Sequence, residues 1–451
     1  MPTQASAGLQ LSAHRFWLRR LECALLGEAA GRARARFTAL AVGAALTAMA
    51  VAGCALLGWL RPQVALDRAR LVLDRNSGAL FVRVDDTWHP VLNLASARLI
   101  AGAPVDPQPV RPSDLARAKL GAPLGIPGAP QYLGAPLAAA DLVWSVCDGD
   151  GATTVVVGRP AEHSVRRLPA GQAILAAPAP GSPAYLLYDG RRAVVNLDDA
   201  AVVRALRLEG RVPRRVSQSL LDAVPEAPPI AAPRVPGAGG RAPGLPGFTV
   251  GAVLRVARAD GDEFYVTLPT GLQRIGRVAA DLLRFADSGG GASPTTVAPD
   301  AIRAAPVATA LPVGGFPERA PALADGDTAC VTREGPDGSG VALLAGAGAP
   351  VPPGRSALTL AQADGAGPAL DAVYLPPGRT AYVRGVPGGG TRYLVTDTGV
   401  RFAVPDDDAA GALGLPATGA APWPVLTVLP LGPQLSRRGA SVARDTVAAP
   451  P

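Results

Sequence analysis

The sequence predicts an α+β protein, mainly β, with a single N-terminal transmembrane helix. An elongated quasi-twofold extracytoplasmic domain follows, with a central β-domain and four small β-hairpin–helix repeat modules. Three observations carry that prediction. An uncharged apolar run covers Phe37–Leu60; a strand–turn–strand–helix pattern is written four times after it; and two cysteine-bearing strands, around Cys147 and Cys330, hold matching places in a duplicated frame. With 451 residues the chain is long enough for more than one compact unit.

The run FTALAVGAALTAMAVAGCALLGWL has no charge over 24 residues. As a helix it extends about 36 Å, enough to cross a hydrocarbon core of about 30 Å. Arg15, Arg19, Arg20, Arg32, Arg34 and Arg36 precede it against Glu22 and Glu28, whereas Arg61, Asp67, Arg68 and Arg70 mix signs after it. That basic bias places the N-terminus in the cytoplasm and the C-terminal body outside. Trp59 sits where an interfacial aromatic belongs. A cleaved signal peptide has a shorter basic region and a shorter apolar core. VAGC at Val51–Cys54 resembles a lipobox, which would make Cys54 a lipidated N-terminus, but six apolar residues follow it in place of a polar linker. A retained single-pass anchor is the expectation.

Ahead of the span, LQLSAHRFWLRRLECALL places Leu11, Trp17, Leu18, Leu21 and Leu25 on one helical face, with Arg15, Arg19, Arg20 and Glu22 outside it. Two readings stay open: a helix lying on the inner membrane surface, or a docking helix for a cytoplasmic partner. In the docking reading the contact residues are Phe16, Trp17, Leu18, Arg19, Arg20, Leu21 and Leu25.

The four repeats are LFVRVDDTWHPVLNLASARLI from Leu80, YLLYDGRRAVVNLDDAAVVRALRL from Tyr185, FYVTLPTGLQRIGRVAADLLRF from Phe264 and RYLVTDTGVRFAVPDDDAAGAL from Arg392. Their hairpin turns are expected at Asp85-Asp86, Asp189-Gly190, Thr270-Gly271 and Thr398-Gly399. Helix caps are expected at Asn196, Asp198 and Asp406. Matching landmarks (VRPSDLARA and VAPDAIRAA, the Cys147 and Cys330 strands, LPAGQAI and LPPGRTA) follow in the same order, and the second half carries an insertion near Gly346–Gly367. This divides the chain into a cytoplasmic segment at 1–36 and a span at 37–60. Module 1 covers 61–128, the first half of the central β-domain 129–180 and module 2 181–223. A Pro/Gly-rich linker covers 224–247, module 3 248–318, the second central half 319–385, module 4 386–428 and a tail 429–451.

Cys23 is cytoplasmic and Cys54 lies within the span, which leaves Cys147 and Cys330 as the exported pair. Their equivalence and the oxidising compartment predict a disulfide; the alternative is two buried free thiols.

Motifs for chemistry are sparse. The histidines are His14, His89 and His163, and neither C-x-x-C nor H-E-x-x-H occurs, so no metal or other cofactor is expected. The aspartates of CDGDG lack the terminal glutamate of an EF-hand and read as a hairpin turn. His89 beside Asp85 and Asp86 could do acid–base work but has no matched nucleophile. Lys119 is the sole lysine and precedes Leu120, so the chain holds no Walker A motif, whose lysine precedes Ser or Thr. The formal charge of +7 is spread along the chain without interleaved aromatics, which speaks against nucleic acid as a partner.

Several stretches together resemble the EccB family of actinobacterial type VII (ESX) secretion systems: LQLSAHRFWLRRLECALL, AGCALLGWLRPQ, LFVRVDDTWHPVLNLASARLI, LGIPGAPQYLG and WSVCD. The resemblance implies a structural subunit of an inner-membrane export complex, with EccC, EccD, EccE and further EccB copies as partners. It also implies a disulfide that carries over to Cys147 and Cys330. The modules of the family have been likened to cell-wall-binding domains, making peptidoglycan a candidate partner, and ATPase activity has been ascribed to some members.

Overall fold

The structure is a computed structural model that describes residues 4–25, 28–60, 66, 68–259, 261–286, 293–303, 305–335 and 338–444. Of the features singled out above, Arg61, Asp67 and 445–451 lie outside the described residues, as do the side chains of Glu28, Arg32, Arg34, Arg36 and Trp59. The chain divides into two compact units, Met1–Ala69 and Arg70–Pro451. The first holds the helices Gln4–Leu25 and Glu28–Leu60. Within the second of these, Phe37–Leu56 is long and apolar enough to cross a membrane, with mean hydropathy 2.1 and none of it buried against protein.

In the second unit the repeat is larger than its sequence signature. Module 1 consists of strands Leu71–Asp74, Leu80–Val84 and Thr87–Val91, helix Leu94–Ala101, and strand Gln108–Val110. The three strands form an antiparallel meander, and the last strand returns parallel to the first. Module 2 repeats this with Gln172–Ala177, Ala184–Tyr188, Arg191–Val195, helix Ala200–Leu206 and Arg214–Arg215. Module 3 uses Val253–Val256, Glu263–Leu268, Gly271–Ile275, helix Arg277–Ala286 and Thr295–Thr296. Module 4 uses Arg379–Val386, Arg392–Thr396, Arg401–Val404, helix Asp407–Leu413 and Gly419–Pro422. The strand order is the same in all four sheets.

Local chemistry explains these elements. Asp85 (φ 50°) and the pair Asp189 (φ 45°) and Gly190 (φ 71°) adopt the left-handed backbone of tight hairpin turns. In module 3, Leu268 pairs with Gly271, so Pro269-Thr270 make the turn rather than Thr270-Gly271. Helix starts are capped by side-chain oxygens: Asn93 accepts from Ser96 N and Asp406 from Ala409 N. In module 2 the cap is Asp199, which accepts from Ala201 N, and not Asn196 or Asp198; Asn196 instead closes a turn by accepting from Asp198 N.

After the parallel strand each module adds a short helix (Pro112–Leu115, Gln218–Ala223, Pro299–Arg303, Trp423–Val428) and then an extended strap along the outer hairpin strand. The strap bonds repeat almost atom for atom. Lys119 O accepts from Trp88 N at 2.8 Å, Pro225 O from Arg192 N at 2.8 Å, Pro306 O from Leu272 N at 2.7 Å and Pro430 O from Arg401 N at 2.9 Å. Two residues on, the amides of Gly121, Ala227, Ala308 and Gly432 donate back to those same four strand residues. Leu124, Ile230, Leu311 and Leu435 then plug each module and are buried. The straps correct two expected boundaries. The first part of the 224–247 linker is the strap of module 2, and its remainder folds on module 3, with Ala242 and Leu245 packed against Leu254 and Leu272. Most of the 429–451 tail is the strap of module 4 plus helix Arg437–Ala440. Proline suits an edge segment of this kind because only some of its amides must bond.

The modules pair through their helices. Leu71, Val82, Leu99 and Ile100 of module 1 share one core with Leu394, Phe402 and Leu413 of module 4. Val202, Ala205 and Leu206 of module 2 share another with Val278 and Leu282 of module 3. The modules flank a seven-stranded central sheet in which Trp144–Gly149 and Ala152–Val157 form one hairpin and Thr328–Glu334 and Gly340–Gly346 the other. The first strands of the two hairpins, Trp144–Gly149 and Thr328–Glu334, pair antiparallel at the centre. One face of the sheet, with Trp144, Val146, Val331 and Leu343, is covered by Leu220, Leu221, Val425 and Leu426 from the short helices of modules 2 and 4.

The halves also exchange strands. Ala135–Pro136 from the first half joins module 4, and Ala322–Leu323 from the second joins module 2. Val165–Arg167 extends the second cysteine hairpin, while Ala372–Tyr374 extends the first. The expected boundaries at 180/181 and 385/386 miss the first strands of modules 2 and 4. LPAGQAI and LPPGRTA lead directly into those strands, which belong to the repeats and not to the central domain.

Candidate functional site

The centre of the second unit is fixed by covalent and polar links across its two middle strands. Cys147 and Cys330 are register partners on the two central strands, joined by a disulfide with Cα atoms 4.1 Å apart. Both are buried among Val165, Ala342 and Leu344, on the sheet face opposite Trp144 and Val146. Two residues along on that face, the hydroxyls of Ser145 and Thr332 bond each other at 2.9 Å. Strand alternation thus directs one apolar face to the module helices and a covalent and polar seam to the other.

Two buried carboxylates tie this centre to its surroundings. Asp148 Oδ2 accepts from Ser217 N at 2.6 Å, and the Ser217 hydroxyl caps helix Gln218–Ala223 by accepting from Leu220 N. Burial pushes the Asp148 carboxyl above its ordinary value, against the lowering effect of that bond. Asp371 Oδ2 accepts from Thr153 N at 2.7 Å, while its Oδ1 accepts from Asp364 N and Gly365 N. Through Asp371 the insertion of the second half grips the hairpin of the first. The CDGDG segment is a hairpin turn, with Asp150 (φ 53°) and Gly151 (φ 73°) between Gly149 and Ala152. A cleft of about 340 Å³ lies beside it, between Asp148, Arg215 and the Gly365–Pro368 loop.

The residues expected to dock a partner sit on Gln4–Leu25. Phe16, Trp17, Leu18, Leu21 and Leu25 are exposed, as are Arg19 and Arg20. Arg15 and Glu22 are exposed on the same helix. The residues weighed for chemistry take structural positions. His89 Nδ1 donates to Ala122 O of its strap at 2.8 Å, away from the Asp85-Asp86 turn. Lys119 supplies the first strap carbonyl of module 1. Among the described residues, no three His, Cys, Asp or Glu side chains gather as a metal site.

Sequence reasoning missed the straps and the strand exchange. The strap does have a signal: a small residue followed three positions later by an aliphatic plug, in LGAPL, EAPPI, VATAL and LGPQL. The small residue answers the strand beneath it. A Cβ on Gly121 would lie 2.3 Å from the His89 ring and one on Gly432 2.2 Å from the Phe402 ring. Modules 2 and 3 carry Ala227 and Ala308 there, beside Ala193 and Gln273.

The duplicated, bridged body behind one apolar helix fits one known family. The family model described as type VII secretion system ESX-1, transport TM domain B, matches residues 3–449. The chain belongs to the EccB family. It is 37% identical to the ESX-3 secretion system ATPase EccB3 of Mycolicibacterium smegmatis, over 93% of this chain and 86% of that protein. Identity to the ESX-2 secretion system ATPase EccB2 of Mycobacterium tuberculosis is 35%, over 99% and 97%. In the solved structure of an intact ESX-5 inner membrane complex, one chain superposes with a TM-score of 0.76 at 32% identity, covering 100% of this chain and 97% of that one. The EccB3 dimer from the ESX-3 core complex gives 0.73 at 34% identity, over 83% and 100%. EccB-type architecture here means a single N-terminal apolar helix and a mainly β body.

Proposed function

We propose that this protein is a structural subunit of a type VII secretion inner-membrane complex, anchored by Phe37–Leu56 with its N-terminus in the cytoplasm and its four-module body in the periplasm. The observation that carries the reading is the end-to-end correspondence with a chain of an intact ESX-5 inner membrane complex. Further EccB copies are the proposed partners of the body, and EccC, EccD and EccE complete the assembly. The exposed face of Gln4–Leu25 docks the cytoplasmic side, where apolar residues would otherwise stand in water. Repeated modules on a covalently bridged centre suit multivalent contact, because linked weak contacts gain through effective concentration.

The test is deletion of Met1–Arg32. The shortened protein is expected to stay in the membrane and to lose co-purification with EccC and EccD; full co-purification would end the docking role. The name ATPase borne by relatives favours a second reading, nucleotide hydrolysis. Its test is turnover by the purified full-length protein that survives removal of contaminants and disappears in a point variant. The third reading, peptidoglycan binding by the modules, is separated by pull-down on isolated cell wall.

A further inference from the structure

The four modules serve as one another's controls, and one loop stands out. In every module a loop joins the helix to the parallel strand. In module 2 it reads RLEGRVPRR (Arg207–Arg215), whereas module 1 has GAPVDPQPV and module 4 has GLPATGA in the corresponding place. Those two loops contain no arginine, and they connect the same elements in the same topology. The fold therefore does not require the basic residues of module 2. Arg207 also takes the left-handed conformation (φ 57°) at the helix C-cap, where modules 1 and 4 place Gly102 and Gly414. Arg207 thus stands at a position whose backbone favours glycine.

Arg207, Arg211 and Arg214 line one cleft of about 660 Å³, closed on its other side by the exchanged segment Ala320–Asp325 of the second half. That volume falls in the range of small-molecule sites. Among the described residues none of the three arginines has a carboxylate within 4.0 Å. Arg214 reaches only Ala324 O, at 3.4 Å through Nη2, and its buried Nη1 has no partner. Asp325 also lines the cleft, and it and Asp327 both act on the Arg214 charge, so three cations face two carboxylates.

We propose that this cleft binds a small phosphate-bearing ligand. A carboxylate offers two oxygens and saturates a single guanidinium fork, whereas a phosphate monoester offers three and can meet several forks together. The volume leaves room for an organic remainder beyond the phosphate. A partner protein would need a broad surface of about 800 Å² per side in place of a concave cleft. The phosphate can belong to a free ester or to a lipid headgroup, and the experiment separates the two.

Full-length protein in neutral detergent is titrated calorimetrically with inorganic phosphate, with glycerol 1-phosphate, and with micelles doped with phosphatidic acid, a monoester, or with phosphatidylcholine, a diester, all at matched ionic strength. Arg207→Gln/Arg211→Gln is the test variant, because both side chains are exposed and the fold does not depend on them. Arg437→Gln/Arg438→Gln, an exposed pair outside the cleft, is the control. The expected result is binding weakened about tenfold or more in the cleft variant and unchanged in the control. Saturation by glycerol 1-phosphate assigns a free ester; saturation by phosphatidic acid alone assigns a headgroup. Equal binding by wild type and cleft variant, or no binding of any probe, overturns the proposal.

Discussion

Cys147 and Cys330 face each other across the two central strands, each from one half of the duplicated body, 183 positions apart in the chain. Closing so long a loop restricts the unfolded chain, and disulfides of this kind contribute about 2–4 kcal/mol. Cys147→Ala/Cys330→Ala should therefore melt at lower temperature than wild type under oxidising conditions, with the difference vanishing when both are reduced. Strand exchange should keep the variant folded in the cold. Coincident melting curves under oxidising conditions would refute the stabilising role.

Gly432 lies under the Phe402 ring with no space for a methyl group. Gly432→Ala should cost about 1–3 kcal/mol through forced displacement of the ring, and Phe402→Ala in the same chain should remove part of that added cost. Ala308→Gly at the equivalent strap position of module 3 should cost under about 1 kcal/mol, through backbone freedom alone. Denaturant unfolding checks all three, and equal effects at 432 and 308 would sink the steric account.

Burial raises the Asp148 carboxyl above its ordinary value, so the folded protein holds that proton more tightly than the unfolded chain does. Stability from the protonated form is complete below the unfolded pKa and is lost as pH rises through the folded one. Asp148→Asn keeps an oxygen for Ser217 N and removes the titration. Relative to this variant, wild type should lose stability as pH rises above about 4, the range in which the unfolded carboxyl gives up its proton and the folded one still holds it. Asp371, which faces the group, and the bond from Ser217 N are kept in both proteins. Thermal melts across that range provide the check, and a difference independent of pH would contradict it.

Leu206 packs with Val278 and Leu282 between modules 2 and 3, whereas Leu413 packs with Leu99 between modules 4 and 1. Each is nearly fully buried, so truncation to Ala should cost about 2–5 kcal/mol. The location of the loss is the sharper readout. Leu206→Ala should lower amide-exchange protection in Arg277–Ala286 before it touches Leu94–Ala101, and Leu413→Ala should do the reverse. Identical protection patterns in the two variants would show that the pairs are not separate packing units.

Trp17→Glu with Leu21→Glu places two charges on the exposed face of Gln4–Leu25 and leaves Phe37–Leu56 intact. The variant should remain in membranes and migrate as a smaller species on a blue-native gel. Migration identical to wild type would show that this face docks nothing.

Much of the second unit was legible in the sequence because its signals are dense. Alternating strands, short turns and helices recur in order, and matching cysteines mark the axis. The features that escaped are those set by very few residues. The parallel strands Arg214–Arg215 and Thr295–Thr296 and the exchanged strands Ala135–Pro136 and Ala322–Leu323 are two residues long, too short for periodicity to register. Their partners lie at sheet edges that only the assembled body presents. In NLDDA three polar residues could each cap a helix, and the choice of Asp199 depends on the turn made by Asn196. The exposed apolar residues of Gln4–Leu25 were legible as an amphipathic pattern, but a pattern does not distinguish lipid from protein as their cover.

Module 1 is synthesised first, yet its helix leans on the last module to be made: Arg98 donates to Leu413 O, a separation of 315 positions. Leu71, Val82, Leu99 and Ile100 thus emerge with no permanent cover, while modules 2 and 3 can settle against each other earlier. Folding accordingly runs from the middle modules outwards. The oldest apolar surface must be kept from wrong partners until nearly the whole polypeptide has been delivered, and a nascent fragment stopped short of module 4 would be a substrate for proteolysis and not a half-built scaffold.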